Sequence, residues 1–173
     1  MSADRPRLHP AGFNQRLNSI FGMASNTKKR KSIKQTPRLS RSVLLPTSPA
    51  IARSISLKNH MALAALKSAQ GNVHLAGELL KTLYWTFYLS DEETIKEQKE
   101  NFIGAEQILK ACITRAADTQ AWEVSDADAL YIAVLLQLHD DQLRLMPVHR
   151  LEKAKHRLEK LLAHDEGFPS FAF

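Results

Sequence analysis

Cysteine is almost absent from this chain of 173 residues: Cys112 stands alone, so no internal disulfide can form, and a reducing compartment is expected. Long apolar runs are missing as well. The longest, Leu130–Leu136, falls far short of the roughly 20 residues that span a bilayer. Acid is nearly missing from the first third. Residues 1–56 hold eleven Lys and Arg against Asp4 alone, for a net charge of +10. Aromatic residues are absent between Phe21 and Tyr84, which removes base stacking as a task for that stretch. No glycine-rich phosphate loop, no G-x-S-x-G and no second cysteine is present, so nothing points to an enzyme. No cofactor, metal ion or small-molecule substrate is expected.

What is present is a division of charge. Residues 57–173 carry thirteen Lys and Arg and seventeen acids, a net of −4, and the whole chain is +6. A cationic leader on a mildly acidic body implies an anionic partner, with DNA or RNA foremost. Lys28, Lys29, Arg30, Lys31, Lys34, Arg38 and Arg41 are the expected phosphate contacts, with Arg53 beyond them. Each phosphate neutralised releases counterions, so such binding weakens with salt. The alternative is a protein-interaction module whose leader orders on an acidic partner.

Pro6, Pro10, Pro37, Pro46 and Pro49 interrupt residues 1–56, which read as a disordered basic arm. The first twenty residues hold Arg5, Arg7 and Arg16 but no apolar core of a secretory leader, and a cytoplasmic protein is expected. The Arg- and Ser-rich composition of residues 5–53 also fits an organelle transit peptide, though the tight Lys28–Lys31 cluster exceeds what one needs. Met23 offers an alternative start directly before the basic run.

From residue 57 the pattern turns helical, predicting an all-α compact bundle of about five helices over 57–166 and an apolar tail over 167–173. Ser56 is the expected cap of a first helix at 57–69, closed by Gly71 in the left-handed position. Asn72 caps a second at 73–89. Its end is apolar nearly all round, so Leu83, Tyr84, Trp85, Phe87 and Tyr88 form a candidate seam for a homodimer. A Ser90–Glu93 capping box opens a third helix at 91–117. Ser125 caps a fourth at 126–145, whose run from Leu130 to Leu136 belongs at the centre of the body. His139-Asp140-Asp141 reads as the polar break near its outer end. Pro147 starts a fifth at 148–164. There His149, Glu152 and His156 share a face, read as solvated rather than metal-binding.

The order Ala65-Leu66, Gly71-Asn72, Ala76, Leu79-Leu80 resembles the DNA-binding C-terminal region of the Fis family over residues 64–80. That resemblance implies a helix ending at Gly71-Asn72 and a second one opening a helix-turn-helix. The chain continues as Lys81 to Leu89 without the glycine turn or basic recognition helix of that family. The basic leader, His60-x-Ala62-Leu63-Ala64-Ala65-Leu66, Trp122-x-x-Ser125 and Leu138-His139-Asp140-x-Gln142-Leu143 together are similar to small proteins carried by bacterial plasmids and phages. The expectation is therefore a nucleic-acid-binding accessory or regulatory protein, with the leader on phosphates and the body self-associating.

Overall fold

A computed structural model describes residues 44–163. The seven cationic residues from Lys28 to Arg41 and the tail from residue 167 lie outside the described residues. The body is all-α, with six helices in place of the expected five.

The first helix, α1 (Pro49–Lys67), begins eight residues before its expected start, so the anticipated boundary at 56/57 falls inside it. Pro49 does not break this helix. It sits at the opening position, where its missing N–H costs nothing, and Ser48 Oγ accepts from the Ile51 amide at 3.4 Å. Ser56, the expected cap, lies in mid-helix instead. The left-handed residue after α1 is Ala69 (φ 56°), not Gly71. Glycine is required at 71 for a different reason: a Cβ there would meet the Leu66 side chain and come 2.7 Å from the Trp122 carbonyl.

Asn72 caps α2 (Val73–Leu89) as expected, accepting from the Leu75 amide at 3.0 Å. The expected third helix is divided at Gln98 into α3 (Glu92–Glu97) and α4 (Lys99–Thr119). Asp91, rather than Ser90, caps α3 through the Thr94 amide at 2.9 Å. That bond holds the Asp91 carboxyl below its ordinary pKa. Ser125 caps α5 (Asp126–Leu145), and Pro147 directly precedes α6 (Val148–Ala163).

α2 is the central element, packing on α1, α4, α5 and α6. Its apolar end is the reason. Leu79, Leu80, Leu83 and Tyr84 are buried between those neighbours, and each such side chain stabilises the fold by about 1.5–3 kcal/mol. The expectation for α5 needs correction. Ile132, Leu135 and Leu136 are buried, but Leu130 is 67% exposed, and Tyr131 and Val134 are 43% exposed. The run has no polar side in sequence, yet α5 lies at the periphery and buries only one face. Tyr131 lies over Gly104, where a Cβ would come within 2.9 Å of its ring.

Among the described residues the core has one buried acidic residue, Glu106. Glu106 receives the Tyr84 hydroxyl and, at 2.6 Å, the Lys110 ammonium, so the charge is paired within its own helix and across to α2. Burial and the Glu106 charge push the Tyr84 phenol far above its usual pKa. Among the described residues no helix is long and apolar enough to cross a membrane.

Candidate nucleic-acid interface

The ends of four helices meet at one pole of the bundle: the start of α1, the close of α2, the close of α5 and the start of α6. A second apolar cluster seals this pole, built on Ala52, Leu89, Leu143, Leu151 and Ala154. The segment before α1 is fastened there. The Val148 amide donates to the Leu45 carbonyl at 2.9 Å, and Pro46 pairs with Pro147. The Trp85 indole N–H donates to the Leu151 carbonyl at 3.1 Å and ties α2 to α6.

The outer surface of α6 at this pole is basic. Arg150, Lys153, Arg157 and Lys160 recur at steps of three, four and three, which places them along one side of the helix over about 15 Å. All four are exposed, and none forms an ion pair among the described residues. Glu152 and Glu159 fall about a third of a turn away. The Arg157 guanidinium stacks 4.6 Å from the Tyr88 ring centroid. Burial raises the Tyr88 pKa and Arg157 partly opposes the rise. A shallow hollow of about 190 Å³ lies between Tyr88, Ser90, Arg150, Lys153 and Arg157. Cations on one helix face above a hydroxyl-bearing hollow suit phosphate oxygens.

These cations recur at helical spacing in the sequence, interleaved with His149, Glu152 and His156 on the same helix. His156 lies 3.8 Å from Glu159. Of the candidate dimer seam at the end of α2, Trp85, Phe87 and Tyr88 are half-buried. Leu83 and Tyr84 are buried in their own chain. Phe87 meets Phe102 edge-on at 5.4 Å, Trp85 binds Leu151, and Tyr88 carries Arg157. α2 runs unbroken to Leu89, so residues 81–89 form no turn and no separate recognition helix.

His139-Asp140-Asp141 is not a break but part of continuous α5. His139 is fully buried, its ring 5.5 Å from Trp85. Asp140 turns toward α1, where the Ser56 hydroxyl donates to its Oδ2 at 2.8 Å and His60 Nε2 lies at 3.0 Å. Cys112 is buried, and burial raises its thiol pKa.

The chain matches no family model, no curated protein and no solved structure.

Proposed function

We propose that this protein binds nucleic acid through phosphate contacts, as an accessory or regulatory factor. In this reading the Lys28–Arg41 leader and the α6 stripe act as one cationic surface. The observation that carries it is the fastening of residues 44–47 to the α5–α6 junction. The anchored Leu45 meets Val148, two residues before Arg150 in the sequence, and Arg41 precedes Leu44 by three residues. The sequence resemblance to a Fis-type region plays no part in this mode of binding, because its cations are in the leader and on α6, outside residues 64–80. Contacts of this kind confer affinity and register but little sequence discrimination.

The test is fluorescence anisotropy of the full chain on a short duplex and on a single strand across a sodium chloride series. Neutralising Lys28–Lys31, and separately Arg150, Lys153 and Arg157, should each flatten the salt dependence. Equal affinity and equal slope for all three proteins would overturn the reading.

A second reading, a module that docks on another protein, is favoured by exposed Leu57 and Met61 on α1 and Leu130 and Val134 on α5. Recovery of one protein partner after nuclease treatment would favour it over the first.

A further inference from the structure

The outward sides of α1 and α5 form one apolar face. Lys67 pairs with Asp126 at 2.9 Å, and Asp140 takes Ser56 and His60, so the two helices lie side by side and antiparallel. Along that seam Leu57, Met61 and Ala64 recur on α1 at steps of four and three, and Leu130, Val134 and Gln137 do the same on α5. All six are exposed, Leu57, Met61 and Leu130 by 64%, 61% and 67%. Tyr131, 43% exposed, widens the face toward α4, where its ring lies over Gly104.

Charge is missing from this face. From Ala129 to His139 the chain holds no Asp, Glu, Lys or Arg. From Ser54 to Leu66 the one such residue is Lys58, which turns to α2 and pairs with Glu78 at 2.7 Å. The polar groups at the margin, His60, Asp140, Lys67 and Asp126, are bonded to one another across the seam. A polyanion, an acidic peptide or the cationic leader therefore finds no counter-charge here. The face suits a surface as apolar and as uncharged as itself.

We propose that this face holds a second copy of the chain in an isologous dimer. Two-fold pairing sets one such apolar face against another, so the complement is present by construction. At roughly 150–200 Å² for a side chain of this size, Leu57, Met61, Leu130, Tyr131 and Val134 expose about 400–550 Å² per copy. A specific interface takes about 800 Å² per partner, with an apolar, charge-depleted core and a polar rim. These five side chains supply the core, and Ala64, Gln137 and His60 lie where the rim would be. An interface of this modest size gives a dimer that dissociates at about 1–50 µM. Below that range the face is bare, and Leu130→Ala is silent; above it the same variant lowers the dimer fraction. The dimer is independent of the polymer binding proposed above, since the α6 stripe lies on a helix that takes no part in this face.

The experiment is sedimentation velocity of the nuclease-treated full chain in high salt, from about 0.5 to 200 µM. The mass should rise from one chain to two and stop there. Leu130→Glu and Met61→Glu, both at exposed positions, should each weaken the dimer at least about tenfold by leaving a charge unpaired in an apolar contact. Ile51→Glu, at a position 56% exposed and a third of a turn from Leu57 on α1, should leave it unchanged. Circular dichroism of each variant establishes that the helices are intact, and the concentration series on the unaltered protein needs no variant at all. A chain that stays single at the top of the range overturns the proposal and passes the face to a different protein. A dimer that both Glu variants leave intact overturns it by placing the seam elsewhere. A mass that grows beyond two chains overturns the closed, two-fold pairing.

Discussion

The Thr86 hydroxyl lies 3.1 Å from His139 Nδ1, and that contact fixes which ring nitrogen bears the proton. Thr86 has one hydroxyl hydrogen and donates it to the Thr82 carbonyl at 2.7 Å. Its oxygen is therefore left to accept from Nδ1–H. Nε2 is then a bare nitrogen, buried and without a hydrogen-bond partner among the described residues, so a second proton there would meet no acceptor from them. Burial drives the His139 pKa down from 6.5 to about 4, only partly opposed by the neighbouring Asp140 charge.

A pH dependence of stability follows. Between pH 6.5 and about 4 the unfolded chain binds a proton at residue 139 that the folded chain refuses. Stability is fully present above 6.5 and falls as the pH drops through that window, by up to about 3 kcal/mol from this group. Urea unfolding at pH 7 and pH 4.5 should show a smaller difference for His139→Gln than for the unaltered chain. Equal differences would refute the assignment. Thr86→Val, which removes the acceptor but keeps the shape, should cost about 1–3 kcal/mol at pH 7.

The two faces of α5 and the end of α1 should respond very differently to truncation. Leu66 is fully buried, and Leu66→Ala should cost about 2–5 kcal/mol. Leu130 is 67% exposed despite its apolar neighbours, and Leu130→Ala should stay within about 0.5 kcal/mol. Thermal unfolding of both variants checks the placement. A large loss at Leu130 would show that face to be covered.

Gly71→Ala is predicted to destabilise by about 1–3 kcal/mol, through contact with Leu66 and the Trp122 carbonyl rather than through backbone strain. Leu66→Ala in the same chain should recover part of that cost by opening space. Simple additivity of the two losses would argue that the clash is with the Trp122 backbone alone.

For polyanion binding, neutralising Arg150, Lys153 and Arg157 should lower the magnitude of the log K against log salt slope by about 2–3 on a duplex. Neutralising Lys28–Lys31 should lower it by about 3–4. If the two surfaces act together, the combined variant loses the sum of both.

Helix existence was readable because caps and periodicity agreed. Asn72 before α2 and Ser125 before α5 each combine a side-chain acceptor with an apolar stripe. Boundaries failed where one residue type serves two ends of a helix. Pro49 terminates some segments and opens others, and only the Ser48 cap together with burial of Ala52 decides between them. The single expected helix at 91–117 divides at Gln98, a position with no glycine or proline to announce it. The apolar runs at Leu83–Leu89 and Leu130–Leu136 look alike on paper. Which one is central depends on partners far along the chain, which periodicity does not contain. The Asp140 contacts with Ser56 and His60 span 84 and 80 residues and had no local signature.

The fastening of Leu45 to Val148 makes the chain modular at its root. If the leader binds phosphates as proposed, its charge rather than its residue order is the expected determinant of affinity. Under that proposal a scrambled leader joined at Leu45 is expected to hold a duplex as tightly as the native one, and an unrelated cationic peptide on the same anchorage is expected to do the same.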